Sequence, residues 1–208
     1  MSRTTNVVTV GAAVDSRIAL AATDETALHV ATRATGEALL TGQPRTVKTP
    51  VEAVSAVLEA AFGALDDELR STAPLYVLCD DYSIFAARRL VTRCHETHRR
   101  LRPSDSVRPE TSELVRPYLT AAGHQGSCYL LAGVSAEAVV ELATSAGHRA
   151  VVICEPALLP GDDPHHRDCL AVAAAWGSGE PPVLPATTSA TPSALLNALS
   201  SERQWNNA

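Results

Sequence analysis

The sequence predicts an α/β domain: a mixed sheet in which three antiparallel strands are followed by strand–helix units, with helices on both faces. Three observations carry that expectation. Short β-branched or alternating segments open the chain, compact apolar runs recur at Leu75–Cys79, Cys128–Ala132 and Ala150–Cys154, and segments of helical periodicity lie between those runs.

The elements follow in order. Asn6–Val10 is apolar and β-branched, Arg17–Thr23 alternates through Ile18, Leu20 and Ala22, and Ala27–Arg33 alternates through Leu28, Val30 and Thr32. With Asp24-Glu25-Thr26 as a tight turn, these read as an antiparallel meander. The Gly- and Pro-containing stretch Gly36–Thr49 then leads to a helix that runs to about Leu69. Thr49 is its cap, Pro50 its first residue and Glu52 lies in its first turn, while Val51, Val54, Val57, Leu58, Ala61, Phe62 and Leu65 recur at helical spacing.

Leu75–Cys79 reads as a buried strand, ended by Asp80-Asp81 and followed by a helix from Ser83 to about Arg99. A polar stretch precedes a short helix near Ser112–Ala122, then strand Cys128–Ala132, helix Ala136–Ala146 and strand Ala150–Cys154. The loop Leu158–His166 comes next, and the alanine-rich segment from about Arg167 to Trp176 is expected to be helical. Residues 1–176 thus form one domain, and 177–208 read as a Pro/Ser/Thr-rich linker and tail with a marginal helix at Ser193–Ser200.

Composition narrows the function. The chain has 208 residues, is 46% hydrophobic and 19% charged, and can therefore bury a core. A net charge of −6, from 17 Lys and Arg against 23 Asp and Glu, argues against coating nucleic acid by bulk charge and leaves room only for a local basic patch. Lys48 is the sole lysine. The five cysteines contain no Cys-x-x-Cys pair, which argues against a disulfide scaffold or a structural zinc site. Cys94-His95-x-x-His98 has no second Cys/His pair of suitable spacing. No run is long enough for a membrane helix, and a cytoplasmic protein is expected.

Three segments carry acidic residues at element junctions. Val-Glu-Ala-Val-Ser-Ala-Val-Leu-Glu-Ala-Ala (51–61) sets Glu52 at a helix start, with Glu59 on nearly the same face farther along. Val-Leu-Cys-Asp-Asp-Tyr-Ser-Ile-Phe (77–85) ends a strand in Asp80 and Asp81. Pro-His-His-Arg-Asp-Cys-Leu-Ala-Val-Ala-Ala-Ala (164–175) offers Asp168 just after His165 and His166. Each position also has an ordinary structural reading, as a helix cap, a dipole partner or a solvated loop residue.

Through these segments and the element order, Asn6–Trp176 resembles the ribonuclease H-like superfamily, type 1 ribonuclease H in particular. The first hairpin, Asp15–Glu25, is also similar to that of the Holliday-junction-resolvase-like and sugar-kinase-like members. The family's first-strand aspartate is replaced here by Val8-Thr9-Val10-Gly11-Ala12, and Asp15 is the nearest carboxylate. The resemblance implies hydrolysis of RNA in RNA/DNA hybrids with two Mg2+ (or Mn2+) ions held ~3.5–4 Å apart. Hard cations of this kind take oxygen ligands. Asp15, Glu52, Asp80 or Asp81, and Asp168 would supply them, and His165 or His166 would assist proton transfer, for which an imidazole is suited.

Nucleic acid binding needs cations near those carboxylates. Arg88, Arg89, Arg93, Arg99, Arg100 and Arg102 cluster on and after the second long helix, interrupted by Glu96 and followed by Asp105. The absent first-strand aspartate motivates an alternative: a catalytically inactive ribonuclease H-like module that binds a protein partner or assembles. A third class, an α/β protein that binds a nucleotide or another protein, lacks any glycine-rich phosphate loop.

Overall fold

A computed structural model describes residues 16–97, 110–163, 165–177, 179–185 and 191–200. The elements are β1 (Arg17–Ala22), α1 (Glu25–Thr35), β2 (Arg45–Thr46), α2 (Pro50–Gly63), α3 (Asp67–Arg70), β3 (Leu75–Leu78), α4 (Asp80–Thr97), α5 (Ser112–Ala121), β4 (Cys128–Leu131), α6 (Ala136–Ser145), β5 (Ala150–Leu158), β6 (Cys169–Gly177) and α7 (Ala194–Ser200). They build a six-stranded mixed sheet in the order β2-β1-β6-β5-β3-β4. Every neighbouring pair is parallel except the two that involve β6, which is antiparallel to β1 and to β5.

Two expected elements are corrected. Ala27–Arg33 is not a strand but the body of α1. Asp24, expected in a turn, is the helix N-cap and accepts a hydrogen bond from the Ala27 N–H at 2.7 Å. Ala27, Leu28, Ala31, Ala34 and Thr35 are buried at helical spacing, whereas Val30, which belonged to the alternating pattern, is exposed. The N-terminal meander is therefore not formed: β1 lies between β2 and β6, and the expected strand at 6–10 falls outside the described residues. The antiparallel part of the sheet comes from β5, β6 and β1.

The second correction concerns the alanine-rich segment. Residues 169–177 form a strand in the middle of the sheet, so Asp168 precedes a strand and does not sit in a helical first turn. Alanine favours helix in isolation, but a strand buried on both faces also needs no polar alternation. Leu170, Val172, Ala174 and Trp176 face one core; Ala171, Ala173 and Ala175 face the other, beneath Val54, Leu58 and Phe62 of α2. Small side chains there let a helix lie close to the sheet.

Helices cover both faces, as expected of an α/β domain. α1, α6 and α7 pack on one, α2 and α5 on the other. The strand expected at Ala150–Cys154 continues to Leu158 through Pro156, at a level where β3 no longer pairs with β5, so the missing N–H breaks no ladder on that side. The segment beyond residue 177, read from the sequence as linker and tail, contributes Leu184 and α7 to the same core, with Leu195 and Leu196 fully buried. Among the described residues no helix is long and apolar enough to cross a membrane.

Candidate functional site

The parallel strands all end at one edge of the sheet, where β2 leads to α2, β3 leads to α4, and the loop 159–168 joins β5 to β6. The chain turns from β1 outward to β2 on one side and crosses to β3 on the other, and crevices at the carboxyl ends beside such a reversal are where open α/β sheets hold ligands. Glu52, Asp80 and Asp168 sit near this edge, each engaged with its own partner.

Glu52 accepts a hydrogen bond from the Lys48 N–H at 2.9 Å while Thr49 Oγ1 accepts from the Glu52 N–H at 3.2 Å, a reciprocal cap on α2. Asp80 accepts from the N–H of Gly133, tying the first turn of α4 to the loop after β4. Asp168 Oδ1 accepts from the Thr23 hydroxyl at 2.8 Å, and Thr23 Oγ1 accepts from the Cys169 N–H at 2.9 Å, joining the end of β1 to the start of β6. His166 Nε2 lies 3.7 Å from the same Asp168 oxygen. His165 donates its backbone N–H to Asp163 at 2.7 Å.

Asp80 and Asp81 border a cavity of about 290 Å³ together with Glu137 and Glu155, and neither Glu52 nor Asp168 lines it. Among the described residues no group of three or more His, Cys, Asp or Glu side chains is placed to hold a metal ion. The donor set implied by the resemblance does not assemble among them, and Asp15 lies outside the described residues.

What does assemble is cationic. A cavity of about 400 Å³ opens between the N-terminus of α2 and one face of α4, closed by residues 165–167. Lys48, Thr49, Pro50 and Val51 form one wall, and Tyr82, Phe85, Ala86, Arg89, Leu90 and Arg93 the other. The spacing 82, 85/86, 89/90, 93 is one helical stripe. His165, His166 and Arg167 complete the lining, which among the described residues contains no carboxylate. Arg167 donates through Nη1 to the Leu159 carbonyl at 3.3 Å, while its Nε–H is buried without an acceptor. The Tyr82 phenol is raised by burial and drawn partly back by Arg89, so it remains a protonated donor at neutral pH.

The arginine cluster divides. Arg89 and Arg93 face this cavity; Arg88 lies on the next stripe and borders a mixed groove of about 770 Å³ with Asp81, Ile84, Val91, Asp162 and Asp163. Arg99, Arg100 and Arg102 fall outside the described residues. Sequence reasoning missed Lys48, Tyr82, Phe85 and Arg167 as site residues. The helical stripe through Tyr82, Phe85 and Arg89 was available as a signal; the approach of Lys48 and Arg167 was not, since both arrive on loops.

Glu155 was missed as well. It is a buried carboxylate in the middle of the sheet, where it accepts from the Ser193 hydroxyl and from the N–H groups of Ala194 at 3.0 Å and Leu195 at 2.8 Å. Burial raises its pKa, and these hydrogen bonds pull it partly back. Compared with known proteins, the chain matches no family model, no curated protein and no solved structure.

Proposed function

We propose that this chain is a binding module whose ligand carries a phosphate group, held in the cleft between α2 and α4. The observation that carries the reading is the lining of that cleft: among the described residues it holds Lys48, Arg89 and Arg167 and no carboxylate, in a protein whose net charge is −6. Guanidinium groups suit phosphate because their planar N–H pairs match its oxygens. The amino end of α2 adds a favourable dipole, offset by the Glu52 carboxylate that caps it.

The nuclease reading has less support. A ribonuclease H-like reaction on an RNA/DNA hybrid with Mg2+ or Mn2+ would need Asp15, Glu52, Asp80 or Asp81, and Asp168 to share metal ions, whereas Glu52, Asp80 and Asp168 each serve a separate backbone or hydroxyl partner. A role without catalysis, binding phosphate through the arginine-bearing face of α4, asks nothing further of them.

Calorimetric titration of the full chain with ribose 5-phosphate tests the proposal. Saturable binding is expected, weakened about 10- to 100-fold by Arg89→Gln or Arg167→Gln, the range of one charge-assisted hydrogen bond. Absence of binding by this or any other small phosphate-bearing titrant, or Mg2+-dependent cleavage of a labelled hybrid that Asp168→Asn abolishes, would overturn it.

A further inference from the structure

We infer that the ligand of this cleft is a nucleoside monophosphate, its base set against Tyr82 and Phe85 and its phosphate against Arg89 and Arg167. The inference rests on the phosphate reading above and adds to it the chemistry of the rest of the ligand.

Two kinds of surface line the same cavity. Along one stripe of α4, Tyr82 and Phe85 come first and Arg89 and Arg93 follow one and two turns later. At 1.5 Å per residue, Phe85 and Arg89 are about 6 Å apart along the axis, so one small ligand can touch a ring and a guanidinium at once. Pro50 and Val51 stand across the cleft, and an apolar wall facing aromatic rings accepts a flat ring.

A sugar phosphate would meet the cations and leave the rings without a partner. Aromatic side chains bind any nucleobase through its π-face. The cavity volume of about 400 Å³ lies in the range of small-molecule sites, and the surrounding net charge of −6 disfavours a long polyanion whose phosphates extend beyond the cleft. The Tyr82 hydroxyl, kept protonated, offers a hydrogen bond to the sugar or the base.

Calorimetric titrations of the full chain with AMP, GMP, CMP and UMP, with ribose 5-phosphate and adenosine as separated halves, test the inference. At least one mononucleotide is expected to bind 10-fold or more tightly than ribose 5-phosphate. Phe85→Ala should erase that margin, so that no mononucleotide binds that variant more tightly than ribose 5-phosphate does. If Phe85→Ala melts early, Phe85→Leu removes the ring and retains apolar bulk. Ribose 5-phosphate binding as tightly as every nucleotide would overturn the inference and leave the phosphate reading standing. A margin that survives loss of the Phe85 ring, or an oligonucleotide preferred per site over each mononucleotide, would also overturn it. Binding of no phosphate-bearing titrant would remove both.

Discussion

The Glu155 carboxylate, on the central strand β5, accepts the hydroxyl of Ser193 and caps the amino end of the last helix, more than thirty residues away in the chain. A buried carboxylate needs such partners, and the helix end needs an acceptor for its first N–H groups.

Replacing Glu155 by Ala is expected to lower stability by about 1–3 kcal/mol, the cost of leaving buried donors unmatched, measured by urea unfolding. Glu155→Gln, which still accepts a hydrogen bond, should cost less. Ending the chain at residue 177 removes Leu195 and Leu196 from the core and should lower the melting temperature far more than either. An unchanged melt would mean that α7 contributes nothing to stability.

The same residue sets a pH dependence. Burial raises the Glu155 pKa above its ordinary 4.5, so the folded chain holds this proton more tightly than the unfolded one. Its contribution to stability is therefore greatest below the ordinary glutamate range and declines as pH rises through the raised folded value. Glu155→Gln removes that slope. Subtracting the variant's stability profile from that of the wild type between pH 4 and pH 8 isolates it, and a difference that grows more favourable to the wild type with pH would contradict the sign.

Glu52 separates the structural and catalytic readings of one carboxylate. As a reciprocal cap with Thr49, it predicts that Thr49→Ala costs about 0.5–2 kcal/mol and that Glu52→Gln costs less, both read by thermal or urea unfolding. Stability untouched by either change would remove the cap as the explanation of Glu52.

Packing under α2 is tight at β6, where Ala171, Ala173 and Ala175 are fully buried. Ala173→Leu should destabilise by about 1–3 kcal/mol through overpacking. On the opposite face, Trp176→Ala should cost about 3–5 kcal/mol by leaving a cavity. If Ala173→Leu is neutral, the helix is not held close to the strand.

Thiol chemistry follows burial. Cys154 is raised well above its ordinary value and Cys169 is pushed up to about 12, in both cases chiefly by desolvation. Neither should react with a disulfide reagent until the chain opens, so their labelling rates should rise with urea in step with unfolding. Prompt labelling of Cys169 in native buffer would show the middle of the sheet to be accessible.

How far the sequence reached can be judged from particular residues. Leu75–Cys79 and Ala150–Cys154 were legible as strands because a segment buried on both faces is apolar throughout, and α2 was legible because Thr49-Pro50 announces its start. Ala27–Arg33 misled because Leu28, Val30 and Thr32 alternate while Ala27, Leu28, Ala31 and Ala34 fit a helix equally well; the Asp24 cap tipped the balance. The acids Glu52 and Asp168 were found, but not their partners. Thr23 and Lys48 are distant or offer only a backbone N–H, and neither leaves a pattern in the chain.

By itself, then, the sequence determined the class: an α/β chain with apolar strands, capped helices and arginines along one helix, because burial and local hydrogen bonding act on neighbouring residues. The tertiary structure alone decided that 169–177 is a strand, since alanine's local preference for helix yields to burial between β1 and β5. It also decided which charges meet. Lys48, Arg89 and Arg167 share a cleft because β2, β3 and β5 end at the same edge of the sheet, and that strand order depends on pairings between residues too far apart in the chain for local chemistry to specify.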